Sequence, residues 1–363
     1  MTDNAEELRD MIDYRRSVSE ILVDLSLHFR QSGQLLQTLY FAGVGWRGQR
    51  EEVPSWVVDW TMNIFPYSLT TYTIFRSQYR ASADKQFALR EGRSSKEIVL
   101  SRQLLCHIKA FGPTCPNPLT IENQPIYNVK TTVHDMFRQW VEDIYVVARQ
   151  NTCYPSDTYH EELSATEAHE AKSLYQPAQS LREAMIHTLL ANCGDSLGPV
   201  PHEIISDFET FLSQGPSMEL TCDCLRLLDP KCERREETWE NVQRRIQEYI
   251  NEDKDKTGFL NWCVGDRPVG FAHVIKRSPA MGQMQFCVLD DGHFGLVPPG
   301  ARPGDWMTII FGAETPFVLR ELTDGSDMGT ASEHQIVGHA YVHGMMDGEA
   351  LMLGKDEVEF VIL

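Results

Sequence analysis

The sequence predicts an α+β fold: helices at the N-terminus, a mainly antiparallel β-barrel-like module formed by strands near 79–111 and 271–363, and a helical insertion between those strands. Three observations predict it. Apolar residues recur at helical spacing early in the chain and again in its middle. They alternate with polar residues before residue 111 and after residue 258. Gly, Pro, Asn and Asp gather between the alternating stretches, where tight turns need them.

The first helix spans residues 17–31. Val18, Ile21, Leu22, Leu25 and Phe29 share one face, Asp13 or Ser17 supplies the cap, and Gly33 stops it. A second short helix follows over 34–42. GVGWRGQR, residues 43–50, is a glycine-rich basic turn, and VPSWVVDW, residues 53–60, is an aromatic anchor in extended or irregular backbone. From Tyr79 to Phe111 the period becomes strand-like through Phe87, Leu89, Ile98, Leu100, Leu104, Cys106 and Ile108, with EGRSS (91–95) as a hairpin turn. GPTCPNP (112–118) ends that stretch, because its prolines remove ladder donors.

The middle of the chain is helical. Residues 132–149 carry Val133, Met136, Phe137, Trp140, Val141, Ile144 and Val147 on one face. Further helices are expected at 180–191, with Ser180 and Glu183 in capping-box spacing, at 202–212 and at 237–250. Strands then follow at 271–275, 284–289, 293–297, 306–311, 317–322, 335–343 and 358–362, separated by turns at 290–292, 298–305 and 323–329. The pattern divides the chain into a helical connector (1–60), the first part of the β module (61–118), the helical insertion (119–257) and the C-terminal β module (258–363).

Composition excludes several classes. The chain of 363 residues is 42% hydrophobic and 10% aromatic, enough to bury a core. Its formal charge is −19, from 33 basic and 52 acidic residues. An acidic surface opposes non-specific binding to nucleic acid and to anionic membranes, so the expected partners are proteins. The first residues are polar and acidic without an apolar stretch, unlike a signal or transit peptide, and no run approaches the ~18 apolar residues of a membrane helix. Nine scattered cysteines form no disulfide framework. A cytoplasmic location is expected.

Little in the sequence is self-evidently catalytic. His339, His343, Asp347 and Glu349 would share a face on a helix and could then ligate a metal, as in a small metal-dependent hydrolase. Gly338, Gly344 and Gly348 lie among them and oppose a helix. In a strand, His339, Tyr341 and His343 would point one way, and Asp347 or Glu349 would close a following turn on backbone N–H groups. Cys222, Cys224 and Cys232 lack zinc-site spacing, and GVGWRG lacks the lysine ending of a phosphate loop. In PPGARPGD, Pro303 presets φ, Gly304 permits positive φ, Asp305 can bond back to the loop, and Arg302 is free to meet an acid or a ligand. No cofactor and no catalytic residue is expected.

The ordered phrases PSWVVDW, FGLVPPGARPGD, IIFGAETPFVLREL and VGHAYVHGMMDGEA resemble the region downstream of the effector domain in fungal heterokaryon-incompatibility (HET domain) proteins. DYRRSVSEILVDLSLHF, residues 13–29, resembles the DY-x-x-SV helix that follows the HET domain in that family. The resemblance runs from about residue 13 to residue 351 and is vague in the helical block. It implies non-self recognition and programmed cell death after hyphal fusion, with the TIR-like HET domain as effector. Only about a dozen residues precede the DYRRSV phrase, so the resemblance implies a truncated member acting as a regulatory or recognition region. The signature residues, expected to be structural, are Trp56, Asp59, Trp60, Gly295, Pro299, Arg302, Gly304, Asp305, Pro316, Arg320, Tyr341, His343, Gly344, Asp347, Gly348 and Glu349.

Overall fold

Helix α1 (Val18–Gln31) begins where its cap predicts. The Ser17 hydroxyl accepts from the Glu20 N–H at 3.3 Å, and the Glu20 carboxylate accepts from the Ser17 N–H at 2.8 Å. These reciprocal bonds satisfy two otherwise orphaned donors. The helix ends at Gly33, whose φ of 73° lets Gln34 donate back to the Phe29 carbonyl at 2.8 Å. Helix α2 (Leu35–Leu39) is shorter than expected, because Phe41 and Ala42 donate three residues back rather than four. The computed structural model describes residues 15–46, 53–62, 79–94, 96–116, 126–152, 175, 179–192, 199–214, 278–282, 284–322 and 333–363. The helix expected at 237–250, the strand at 271–275, the turn at 323–329 and Cys222, Cys224 and Cys232 lie outside them.

The described strands are β1 (Leu89–Glu91), β2 (Ile98–Phe111), β3 (Gln285–Leu289), β4 (Phe294–Val297), β5 (Trp306–Ile310), β6 (Phe317–Glu321), β7 (Glu333–His339), β8 (Tyr341–Val342) and β9 (Glu357–Ile362). The C-terminal ones follow the sequence expectation closely. The strand expected over 335–343 breaks at Ala340, which donates to the Pro316 carbonyl.

The chain divides into two compact units, residues 1–110 with 289–363, and residues 111–288. In the first unit five strands close a ring in the order β2, β5, β6, β7, β9 and back to β2. All its pairings are antiparallel except β7 with β9. Strand β2 makes closure possible because it is 14 residues long. Its residues 98–103 pair with β9, and residues 102–107 pair with β5 across a bulge between Leu104 and Cys106. A bulge bends a strand and lets one strand serve two neighbours. The ring is not a clean barrel, since β1 and the β4–β8 ladder lie off it.

Alternation along β2 and β9 turns Ile98, Leu100, Phe360 and Ile362 inward, where they pack with Ile310, Phe317, Leu319 and Ile336. The same core takes Leu22 from α1, Leu35 and Leu39 from α2, and Val53, Trp56, Val57 and Val58 from the VPSWVVDW segment. Each fully buried large apolar side chain contributes on the order of 1.5–3 kcal/mol. The N-terminal segment is therefore part of the ring's core.

The second unit holds α3 (Ile126–Asn151), α4 (Leu181–Leu189), α5 (His202–Gln214) and α6 (Pro279–Gly282). Phe137, Trp140, Val141 and Ile144 form the buried face of α3, as their spacing predicts. Ser180 caps α4 by accepting from the Glu183 N–H at 3.1 Å. Among the described residues no helix is long and apolar enough to cross a membrane.

Candidate functional site

The signature residues lie in the first unit, and the turn 298–305 organises several of them. Asp305 is buried at the end of PPGARPGD and takes both oxygens to Arg320 of β6, at 2.9 Å from Nε and 2.7 Å from Nη2. The same Nη2 donates to the Gly300 carbonyl at 2.9 Å, and Asp305 also accepts from the Arg302 N–H at 2.7 Å. A two-point arginine–carboxylate contact fixes geometry as well as charge. Arg302 thus contributes its backbone N–H, its side chain stays exposed, and Asp305 answers Arg320. Gly304 has a φ of 89° in the turn that Asp305 closes on the Arg302 carbonyl.

GVGW packs against this turn and β7. Val44 and Gly45 donate to the Ile336 and Val337 carbonyls, both at 2.9 Å. A methyl on Gly300 would stand 2.5 Å from the Gly45 Cα, so the two backbones meet where neither has room for a side chain. Gly338 likewise leaves space for Trp46, whose indole stacks on His339 with centroids 5.7 Å apart. The glycine-rich phrase is a packing joint.

VPSWVVDW is fixed by polar bonds at both ends. Ser55 donates from N–H and hydroxyl to the Leu363 carbonyl, and its hydroxyl accepts from the Ile336 N–H at 2.9 Å. Trp56 is fully buried and donates to the Lys96 carbonyl at 2.9 Å. Asp59 accepts from the Thr61 N–H and hydroxyl at 3.0 and 2.6 Å, and Trp60 lies half-exposed against Phe29 and Phe41.

The structure does not bring His339, His343 and Asp347 together as a ligand set. His339 is buried beside Trp46 and Tyr40. His343 follows the break at Ala340, sits on the Tyr341 ring and bonds its hydroxyl through Nδ1 at 3.0 Å. Asp347 and Glu349 are exposed, and the Glu349 carboxylate accepts from the Asp347 N–H at 2.7 Å, as the turn reading expects. Gly344 and Gly348 carry φ of 77° and 87°. Gly295 lies in β4 opposite Val342, and Pro299 stands in the turn 298–305.

A different constellation was not legible in the sequence. The Cys106 thiol lies within ligand distance of Asp290 and Asp291, the one such group among the described residues. His107 approaches Asp290 at 3.4 Å, and His293 approaches Asp291 at 3.1 Å. Burial, reinforced by the two aspartates, pushes the Cys106 thiol far up, so it stays protonated and is a poor nucleophile. Burial also works to raise the Asp291 carboxyl, but bonds and charge from His293 outweigh it and hold it below its ordinary value. The phrase DDGH reads as a turn in sequence, and only folding brings it to β2.

These elements define a strand ring sealed by N-terminal helices and locked by a buried arginine–aspartate turn. Residues 223–362 match the Het-6 beta-barrel domain, a C-terminal region of HET-family proteins, and this match is consistent with a fungal heterokaryon-incompatibility-type protein. Four ring strands fall inside the matched residues, whereas β2 and the helices that complete the core precede them. No curated protein and no solved structure matches the chain.

Proposed function

We propose that this chain is a non-enzymatic regulatory or recognition region of a heterokaryon-incompatibility-type protein, acting through protein partners in non-self recognition that leads to cell death. The observation that carries the reading is the Het-6 beta-barrel domain at residues 223–362. The use of side chains supports it. His339 and His343 are engaged in aromatic packing, the Cys106 thiol is kept protonated, and Asp305 and Arg320 are spent on each other. The region tunes or triggers an effector and does not itself kill.

Expression in a fungal host tests this, with viability and cellular NAD as readouts. The chain alone leaves both unchanged, and it alters the death response when produced with a HET-domain effector. Death or NAD loss caused by the chain alone overturns the proposal.

A further inference from the structure

Arg102 stands on β2 at an inward-facing position, opposite Val358 of β9 and next in alternation after Ile98 and Leu100. It is only 3% exposed. Its Nη2 donates to Nε2 of His334 at 3.1 Å, and its guanidinium lies over the Phe360 ring at 4.3 Å. Among the described residues its Nε and Nη1 find no acceptor. No described carboxylate forms an ion pair with it, although the chain carries 52 acidic residues against 33 basic ones. Burial without a counter-charge draws its pKa down to about 10, with Glu321 acting weakly in the other direction. An unpaired buried donor costs about 1–3 kcal/mol, and folded proteins rarely leave one without a reason.

The position suggests the reason. Glu321 pairs in register with His334 and is exposed, as is Glu333, so Arg102 lies under the end of the ring where β6 stops and β7 starts. His334 accepts from Arg102 through Nε2, which therefore holds no proton of its own. Phe360 fixes the guanidinium plane from one face.

We propose that Arg102 anchors an anion site at this end of the ring, where an oxyanion, a carboxylate or a phosphate group, accepts from Nε and Nη1. Glu321 stands at the rim and opposes the incoming charge, so removing its charge tightens binding. The site is independent of the regulatory reading and holds whether or not that reading stands.

Thermal unfolding of the full chain tests it in about 10 mM sodium phosphate or sodium acetate, against sodium chloride at matched ionic strength. The expected result is a Tm rise of several degrees with at least one oxyanion, larger in E321Q and absent in R102M. Phosphate alone or acetate alone identifies the group recognised. No rise with either, or an equal rise in R102M, overturns the proposal. Should R102M fail to fold, the Arg102 Nε–H resonance of the native protein decides, assigned with R102K. A shift with oxyanion and not with chloride supports the site, and an unmoved resonance overturns it.

Discussion

Arg320 and Arg102 both stand on strands of the same ring, yet the fold treats them differently. Arg320 is closed by Asp305 and the Gly300 carbonyl, every contact lying between 2.7 and 2.9 Å. Arg102 receives one imidazole nitrogen and one aromatic face, and two of its nitrogens find no acceptor among the described residues. Arg320 belongs to the family phrases and Arg102 does not. The difference teaches that an arginine marked by a phrase has its charge answered inside the fold, while among the described residues Arg102, which no phrase marks, keeps a buried charge without a carboxylate partner.

If completed groups hold the ring, breaking them costs stability in proportion to what is left behind. The largest loss is expected for Trp56→Ala, about 4 kcal/mol in urea unfolding, because a fully buried indole and its bond to Lys96 are lost together. Asp305→Ala comes next, at about 3 kcal/mol, because it strands the Arg320 charge and opens the turn. Gly45→Ala is smaller, at roughly 2 kcal/mol, since a methyl there meets the Val337 carbonyl and Pro298. Ser17→Ala removes a cap, for about 1 kcal/mol. If Trp56→Ala or Asp305→Ala proved neutral, the claim that the signature is architectural would be lost.

The smallest effect depends on pH. The Asp291 carboxyl titrates lower in the folded protein than in the unfolded chain. Its stabilising contribution is therefore present above the ordinary carboxylate range and fades as pH falls through that range toward the lowered folded value. The stability gap between the native protein and Asp291→Asn narrows on acidification. A gap that widened would reverse the sign assigned to His293.

Local pattern made much of the fold legible. The turn at Pro303 and Gly304, the cap at Ser17 and the strand-forming runs at 293–297 and 306–311 are short-range signals, and the structure follows them. The buried fate of Trp56 also follows from its chemistry. The break at Ala340 was not legible, because the apolar pattern of GHAYVH continues through it and only the pairing with Pro316 interrupts the strand. Nor was the bulge at Leu104 and Cys106, since it reflects the competing registers of β5 and β9 on one strand.

The site residues divide the same way. Alternation places residue 102 inward, but an arginine in a strand reads from sequence as a solvent-facing position, so its burial was missed. The grouping of Cys106 with Asp290 and Asp291 needs a contact between distant segments that spacing cannot encode. His339 and His343 attracted attention by proximity in sequence, and the interruption of the strand at Ala340 leaves each with a different aromatic neighbour.

Equilibrium unfolding of R320M and R102M, measured side by side in the full chain in chloride buffer, tests the central contrast most directly. R320M should lose about 3 kcal/mol, because the buried Asp305 keeps its charge without a partner. R102M should stay within about 1 kcal/mol of the native protein or exceed it, because it removes donors the fold leaves unpaired. A large loss in R102M beside a neutral R320M would contradict the account.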